Sequence, residues 1–439
     1  MMDKEAVKRY FLDFHEQPLP KLLPREVCLK DNPGRIQAVV GARRSGKTYL
    51  LFNAIERVIS KGGKRELCAY INFEHPLLDG VTFKEFQELL AVYFSLFPEV
   101  KEDRLRIFLD EPQVMEKWES AVRGLHDQHP YTIFITGSSS RLLSREIATA
   151  LRGRSSTVVL LPLSLREFFA FRGINIDPLK LSTRRKSEVL RALDDFFLYG
   201  GYPETALQTE AAEKLRIIKD YFDLTIYKDI IERYAIRNSS LARWCMNALI
   251  SSVASLLNIN KLYTALKSRG IKISKDTLYE YFSMLGDCFF AGYLRRFDRS
   301  LRKEESSLPK VYLNDTGFIS LFSHQEYNKR LENAVYLELT RFCNSNPLAK
   351  INYWRSPNDK EVDFLISEKG RVKQAVQVCY SLNSAGTKER ELSALKQCFE
   401  YFGVKNGLIV TWDDEGIEKV SGVSVPVMPV WKWLLTRKL

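Results

Sequence analysis

The sequence lacks the signatures of several protein classes, beginning with any close pair of cysteines. Its seven cysteines are scattered, odd in number and never arranged as C-x-x-C. This argues against a disulfide framework or a zinc site and predicts reduced thiols in a cytoplasmic protein. No apolar run approaches the roughly 18 residues of a membrane span. The charged N-terminus also lacks the apolar core of a signal peptide, so we expect no membrane span.

Internal repeats and low-complexity tracts are absent as well, which is typical of a globular protein. The chain has 439 residues, of which 45% are hydrophobic, and this length exceeds a single ordinary core. We therefore expect several domains. The net charge of +12 favours a polyanionic partner, with DNA or another nucleic acid ahead of an acidic membrane surface.

Short apolar runs alternate with helical stretches between Ile36 and Pro162, which predicts βαβ units and a parallel sheet. The next part is almost entirely helical in pattern, and the last part returns to mixed α/β. We predict five segments: an N-terminal helical extension (1–35), a nucleotide-binding core (36–162), a helical lid or linker (163–240), a winged-helix-like region (241–305) and a C-terminal α/β domain (306–439).

The core contains a P-loop, the motif G-x-x-x-x-G-K-[ST], from Gly41 to Thr48. It follows an apolar strand and opens a helix, as the motif requires. We predict that Gly41, Arg44, Ser45 and Gly46 surround the phosphates of ATP, that Lys47 reaches the β- and γ-phosphates, and that the Thr48 hydroxyl binds Mg²⁺. A chance match in a Gly/Ser turn is the alternative.

The strand RIFLD ends in two carboxylates, Asp110 and Glu111. Asp110 suits the magnesium side of a nucleotide site, and Glu111 suits a catalytic role as the base or orienter of the attacking water. A solvated acidic strand end is the alternative. Glu74, at the tip of another predicted strand, is a second candidate to assist at the site.

Two further catalytic candidates come from the end of the core. Ser138, with Thr136 and Ser139 beside it, follows the strand TIFIT and could touch the γ-phosphate or the water. Arg154, with Arg152, precedes the fifth strand. An Arg there could meet the γ-phosphate in the same chain or from a neighbouring subunit of a homo-oligomer, because Arg spreads positive charge over a transferring phosphoryl group. A simple turn and a solvated Arg are the alternatives.

These segments together resemble a known family. The matching stretches are RIQAVVGARRSGKTYLL, IFLDEPQVMEKWE, ITGSSSRLLS, LRGRSSTVVLLPLSLREF, GGYPE, VYLNDTGF and EVDFLI, from about residue 34 to 382. The chain resembles AAA+-related ATPases that carry an AAA_14-type N-terminal domain and a C-terminal DUF4143 domain. The resemblance implies an AAA+-like nucleotide domain, a winged-helix region and a C-terminal domain like the restriction-endonuclease fold.

The winged-helix expectation places Lys272, Lys275 and Tyr279 where they could face DNA. A helical packing module without nucleic acid is the alternative, and the apolar residues of the same helix belong to a core in either case.

The implied nuclease fold raises a separate question about metal binding. Such nucleases need an acidic helix residue, a strand Asp, and E-x-K on the next strand. Glu332 and Asp363 fit the first two, but Gln377 and Cys379 stand where E-x-K would be. The site is therefore expected to be degenerate, because Gln is a weaker ligand and Cys supplies no ammonium. A pairing of Asp363 with Arg355 or Lys360 is the alternative.

Three functions remain open at this point. The first is a Mg²⁺-dependent ATPase that acts on or switches at nucleic acid. The second is a nucleotide-dependent protein-interaction switch with little turnover, and the third is an ATP-gated DNA nuclease.

Overall fold

The computed structural model describes residues 2–137, 151, 153–323 and 325–436. The chain divides into two compact units, of which the first ends at Leu161 and the second begins at Pro162. The five predicted segments are finer than this division and stay a prediction. All seven cysteines lie in the described part of the chain, and none of them forms a disulfide. Within these described ranges, no helix combines the length and apolar character that a membrane span requires.

The first unit is built on five short strands that are parallel to one another. They are β1 (Ile36–Val40), β2 (Cys68–Asn72), β3 (Arg106–Asp110), β4 (Thr132–Gly137) and β5 (Ser155–Val159), in the spatial order β2-β3-β4-β1-β5. The central strands β1 and β4 are buried along their whole length. This agrees with their unbroken apolar character, since helices cover both faces of such a sheet.

The described part of this unit contains the helices α1 (Lys4–Glu16), α2 (Lys47–Ser60), α3 (Phe86–Leu96) and α4 (Trp118–Gln128). Helix α2 buries Leu50, Leu51, Ala54 and Ile55, whose spacing places them on one face toward the sheet. Helix α1 starts at Asp3, whose carboxylate accepts hydrogen bonds from the backbone N–H groups of Glu5 and Ala6. It packs on α3 and on β2, so the N-terminal extension is part of this unit.

The order of the strands determines where a site can form. β4 lies between β1 and β3, and all three run in the same direction. The P-loop after β1 and the carboxylates at the end of β3 therefore emerge at one edge of the sheet, on either side of the β4 terminus. In open parallel sheets, ligands bind at this carboxyl edge.

The second unit begins with helices. They are α5 (Leu165–Phe171), α6 (Thr183–Tyr199), α7 (Pro203–Leu207) and α8 (Ala211–Leu224), followed by a π-helical segment (Thr225–Glu232) and by α9 (Ser239–Ser251), α10 (Ile259–Ser268) and α11 (Lys275–Asp287). An antiparallel pair comes next, β6 (Ala291–Leu294) with β7 (Lys310–Leu313), and the short helix α12 (Leu301–Glu305) lies between its strands. One hydrophobic core joins α8 to α11 with both strands.

The second unit ends in a mixed six-stranded sheet. Its strands are β8 (Ala349–Arg355), β9 (Glu361–Glu368), β10 (Arg371–Val378), β11 (Gly407–Thr411), β12 (Gly416–Val420) and β13 (Val423–Pro429), in the order β12-β13-β11-β10-β9-β8. The helices are α13 (Tyr327–Ser345), α14 (Ala385–Phe402) and α15 (Val430–Thr436). Helix α13 contributes to the core on one face of the sheet, and α14 contributes to the core on the other.

A buried carboxylate connects two segments of this unit, GGYPE and VYLNDTGF. Asp315 accepts hydrogen bonds from the backbone N–H of Gly201 (2.7 Å) and of Gly317 (2.8 Å). Gly200 lies so close that a Cβ atom there would be 1.6 Å from the Asp315 carboxylate, and its φ of +79° is unfavourable for other residues. The two glycines of GGYPE therefore allow the chain to approach Asp315.

Gly200→Ala should destabilise the second unit much more than Gly173→Ala. Gly173 also has a positive φ, but a Cβ there meets nothing within 4 Å. The control substitution should cost only the backbone strain, about 1 kcal/mol, while Gly200→Ala adds about 1–3 kcal/mol for displacing a buried side chain. Thermal unfolding followed by circular dichroism would measure the difference. Equal midpoints for the two variants would contradict the close packing at Asp315.

Candidate functional site

The P-loop is held in a tight curve by its glycines and by one Arg. Gly46 has a φ of +96° and leads directly into α2. A Cβ at Gly41 would lie 2.2 Å from the Leu160 carbonyl oxygen, so only glycine fits beside β5. The Arg25 guanidinium donates to the carbonyl oxygens of Ser45 and Leu161, each at 2.8 Å. Arg25 thus ties the loop to the chain that leaves β5.

Lys47 is folded inward over this loop and is only 6% exposed. Its ammonium donates to the carbonyl oxygens of Gly41 (3.3 Å) and Ala42 (3.2 Å). It also lies 3.5 Å from the Glu111 carboxylate, which is similarly buried. A buried ammonium needs such partners. The same ammonium would be available to an anionic phosphate placed in the curve of the loop.

Asp110 accepts hydrogen bonds from three hydroxyl groups at the end of β3. Thr48 Oγ1 donates at 2.7 Å and Tyr70 OH at 2.8 Å to Oδ2, and Thr136 Oγ1 donates to Oδ1. Burial raises the pKa of Asp110, and the hydroxyl donors oppose that change. The three donors come from α2, β2 and β4, so the carboxylate links the P-loop helix to two strands beside it.

Glu111 follows in a left-handed conformation, with a φ of +52°. Its backbone N–H donates to Thr136 Oγ1 at 3.0 Å, and its carboxylate accepts from the Gln113 amide. The positive φ turns the Glu111 side chain out of the strand direction and toward Lys47. Such strain in a non-glycine residue is often found at functional sites.

These residues fit a magnesium–nucleotide complex. The Thr48 hydroxyl and the Asp110 carboxylate are adjacent oxygen donors, which Mg²⁺ prefers. Ser45 is fully buried within the loop, and among the described residues its hydroxyl has no hydrogen-bond partner. Lys47 and the N-terminus of α2 would hold the phosphates. The bound magnesium ion would neutralise part of the phosphate charge.

The structure brings most of the predicted nucleotide-site residues together. Gly41, Arg44, Ser45, Gly46, Lys47, Thr48, Asp110 and Glu111 all lie at the carboxyl edge of the sheet, and Thr136 lies between the two motifs. Glu74 pairs with Arg43 of the P-loop at 3.5 Å. Ser138, Ser139 and Arg152 lie outside the described residues. The roles assigned to the individual side chains stay predictions.

Arg154 lies at the amino edge of the sheet, opposite the P-loop. The expected contact between Arg154 and the γ-phosphate within the same chain is therefore wrong. Its carbonyl oxygen accepts from the backbone N–H of Ile36, at the amino ends of β1 and β5. A strand of five residues, roughly 16 Å long, separates this point from the P-loop. The guanidinium instead pairs with Asp127 of α4 at 2.6 Å. The contact from a neighbouring subunit stays a prediction.

Sequence reasoning missed three residues of this site: Arg25, Tyr70 and Gln113. Arg25 lies far from the P-loop in sequence, and Tyr70 lies inside a strand where an aromatic residue suggests only packing. Gln113 carried a usable signal, because it follows the strand-end carboxylates directly in the stretch DEPQ.

A second polar cluster lies in the C-terminal part of the chain and contains the three predicted nuclease-like residues. Glu332 lies on α13, Asp363 on β9 and Gln377 on β10. Asp363 does not pair with Arg355 or Lys360, as the alternative expected. It lies 3.3 Å from the ammonium of Lys310, a residue of β7 that the sequence analysis did not single out. Gln377 accepts from the Asp363 backbone N–H and donates to Glu391.

Comparisons with known proteins match each of these regions. The family model of an AAA domain (AAA_14) covers residues 33–169, a domain of unknown function (DUF8612) covers 190–327, and another (DUF4143) covers 328–433. An uncharacterized protein of Methanocaldococcus jannaschii is 36% identical over 95% of this chain and 92% of its own. An uncharacterized protein of Haemophilus influenzae is 26% identical over 91% of this chain and 94% of its own.

Among solved structures, the Orc1 protein of Aeropyrum pernix in complex with DNA aligns with 77% of this chain and 94% of its own, at 13% identity. The TM-score is 0.28, which is too low to indicate a shared function.

The parallel sheet, the P-loop and the AAA domain match define an ATPase-like, nucleotide-binding protein of the P-loop class. The identity and coverage of the match to the Methanocaldococcus jannaschii protein show that the two proteins are homologous. The chain belongs to the family of P-loop proteins that join an AAA_14 domain to a C-terminal DUF4143 domain. The predicted fold class, a parallel P-loop sheet with a later mixed α/β domain, is thereby confirmed.

Tyr70→Phe should raise the Mg²⁺ concentration needed for half-maximal ATP binding. The substitution removes one of three donors to Asp110, worth about 0.5–1.5 kcal/mol, or roughly a two- to tenfold change. Titration of Mg²⁺ at fixed fluorescent ATP analogue would measure it. Tyr93→Phe is the matched control, because the Tyr93 hydroxyl donates to the Glu66 carbonyl, away from Asp110. An unchanged Mg²⁺ requirement in Tyr70→Phe would show that the Tyr70–Asp110 hydrogen bond does not contribute to metal binding.

Proposed function

We propose that this chain is a Mg²⁺-dependent ATPase of the AAA+-like class that acts on or switches at nucleic acid. The observation that carries the proposal is the convergence of Lys47, Thr48, Asp110 and Glu111 at one edge of the sheet. Thr48 and Asp110 are 2.7 Å apart, and Lys47 and Glu111 are 3.5 Å apart. A phosphate group, a metal ion and a water-orienting carboxylate all find suitable side chains there.

The contacts of Lys47 support a simple sequence of events on ATP binding. Lys47 now neutralises Glu111 and caps two loop carbonyl groups. Phosphate oxygens carry more negative charge than these partners and would attract the ammonium. Lys47 would then no longer neutralise Glu111, whose carboxylate accepts a hydrogen bond from the Gln113 amide. In that position its carboxylate can accept a proton from the attacking water or orient it.

The nucleic-acid part of the proposal depends on charge and on the region from α9 to β7. The three helices α9 to α11 precede an antiparallel strand pair there, which is the order of elements in a winged helix, and the short helix α12 lies between the two strands. Lys272, Lys275 and Tyr279 are exposed, and Tyr279 is 54% exposed despite its aromatic ring. In a chain with a net charge of +12, the two ammonium groups and the tyrosine ring offer a contact surface for a phosphate backbone.

A homo-oligomer would give Arg154 a function. Arg154 lies opposite the P-loop edge of its own sheet, and its partner Asp127 is on the surface. A neighbouring copy could present its P-loop edge to this Arg. Arg154 would then add positive charge to the γ-phosphate from outside, as arginine fingers do.

Purified protein should hydrolyse ATP with Mg²⁺, and DNA should stimulate the turnover. Lys47→Ala should weaken ATP binding by tenfold or more, since it removes a buried phosphate partner. Glu111→Gln should keep ATP affinity and lower turnover by about 100-fold or more. Tight binding with negligible wild-type turnover would favour a protein-interaction switch instead. Unchanged ATP affinity in Lys47→Ala would contradict the P-loop assignment.

The same assay tests the DNA surface with two charge reversals. Lys275→Glu on α11 should reduce the stimulation by DNA and leave the basal rate unchanged. Lys405→Glu changes the charge equally at another exposed position and serves as the control. Equal stimulation of both variants would show that α11 does not contact DNA.

Arg154→Ala should abolish turnover while ATP binding persists, and mixing should restore activity. In a mixture with Lys47→Ala, a chain with an intact P-loop can receive Arg154 from its neighbour. The rate of the mixture should therefore exceed the sum of the two separate rates. Asp127→Asn, which removes only the partner of Arg154, should stay active. A mixture with no gain would show that Arg154 does not act between subunits.

A further inference from the structure

The second polar cluster opens on a cavity of about 580 Å³ in the C-terminal part of the chain. Its walls come from α13, β9, β10 and α14, and Lys310 of β7 forms part of its lining. The proposed ATPase function does not use this cavity. The side chains that line it decide whether the nuclease-like residues can bind a metal ion.

Lys310 lies among three carboxylates. Its ammonium is 2.7 Å from Glu332 Oε1, 2.8 Å from Glu361 Oε1 and 3.3 Å from Asp363 Oδ1. The residue is 2% exposed, so these carboxylates provide most of its surroundings. The three ammonium protons match the three acceptors, which leaves no donor of Lys310 for a ligand.

The cluster holds Lys310 in its charged form. Burial alone would lower the pKa of Lys310, but Tyr312 and the three carboxylates outweigh it, and the pKa lies well above its usual value. Other donors reach the second oxygen of Asp363 and of Glu361, and a further donor reaches Glu332 Oε1 itself. Val378 N–H donates to Asp363 Oδ2 at 2.9 Å, and the Tyr312 hydroxyl donates to Glu332 Oε1 at 2.7 Å. Arg355 pairs with the second oxygen of Glu361 at 3.1 Å.

A nuclease of the implied fold would place a magnesium ion among the same carboxylates, and this donor set does not fit one. A cation at the meeting point of Glu332 and Asp363 would coincide with the Lys310 ammonium. Gln377, in place of the usual Glu, donates from its amide to the Glu361 backbone carbonyl and to the Glu391 carboxylate. In the described part of the chain, no group of three or more His, Cys, Asp or Glu residues is arranged to hold a metal ion.

We propose that Lys310 permanently replaces a divalent cation in this cluster, so that the cavity is a metal-independent site. The ammonium pairs with Glu332, Glu361 and Asp363 and connects β7 to α13 and β9. Magnesium-dependent cleavage of a phosphodiester therefore does not occur at this cavity. The inference does not depend on ATP hydrolysis, since none of its residues belongs to the P-loop site.

The proposal also predicts a gain of metal binding. Lys310→Met keeps an unbranched side chain one atom shorter and removes the charge, which leaves three carboxylates facing each other. A divalent cation can then offset their repulsion. We expect nucleotide-free Lys310→Met to bind one more Mn²⁺ per chain than the wild type does. Its affinity for this ion should be at least tenfold higher than that of any wild-type site that depends on Asp363.

Mn²⁺ titration followed by electron paramagnetic resonance would count the bound ions. The additional site should disappear in Lys310→Met/Asp363→Asn, while any Mn²⁺ bound near the P-loop remains in every variant. A folded Lys310→Met protein without an additional ion would overturn the proposal.

The wild-type protein provides a second test that needs no Lys310 variant. Wild type and Asp363→Asn should give the same Mn²⁺-binding curve. Their thermal midpoints should also change by the same amount as Mg²⁺ is added, although the substitution can shift all midpoints by a constant. A wild-type metal site that Asp363→Asn removes would overturn the proposal, even if Lys310→Met fails to fold.

Discussion

The parallel order of three neighbouring strands is the constraint on which the nucleotide site depends. Because β1, β4 and β3 run in the same direction, their carboxyl ends lie side by side, and the loops that follow them must share one edge. Thr136, at the end of the middle strand, contacts Asp110 and the Glu111 backbone. The sheet therefore positions the groups that lie on these strands and at their ends.

The two polar sites have buried charge in common. In each, a lysine ammonium is removed from water and neutralised by carboxylates, but the surroundings differ. The Lys47 ammonium lies 3.5 Å from one carboxylate and 3.3 and 3.2 Å from two carbonyl oxygens, so a phosphate can compete for it. Lys310 meets three carboxylates, two of them below 3 Å. A loosely paired ammonium suits a site that exchanges ligands, while a fully paired one suits a structural position.

Much of the first unit could be predicted from the sequence because its signals are local. The strand Ile36–Val40, the P-loop and the strand Arg106–Asp110 are each contiguous, and parallel strands require their ends to meet. The positions of Arg25 and Tyr70 could not be predicted. Each reaches the site across the fold, and an Arg in a connector or a Tyr in a strand has many possible neighbours. Arg154 is a different case, because it precedes β5 and a residue before a parallel strand lies at the amino edge of the sheet. Its separation from the P-loop therefore followed from the predicted sheet.

Lys310 shows most clearly why sequence reasoning about chemistry needs the fold. The motif E-x-K asks for an ammonium two residues after a carboxylate, and the stretch from Gln377 to Cys379 has none. The structure supplies an ammonium from β7, 53 positions before Asp363. Finding a lysine there does not restore the nuclease chemistry, because its ammonium lies between the carboxylates rather than beside a metal ion that they hold. Two carboxylates and a nearby lysine would by identity alone suggest that part of the site is restored, whereas their distances indicate a cluster in which the cation is part of the chain.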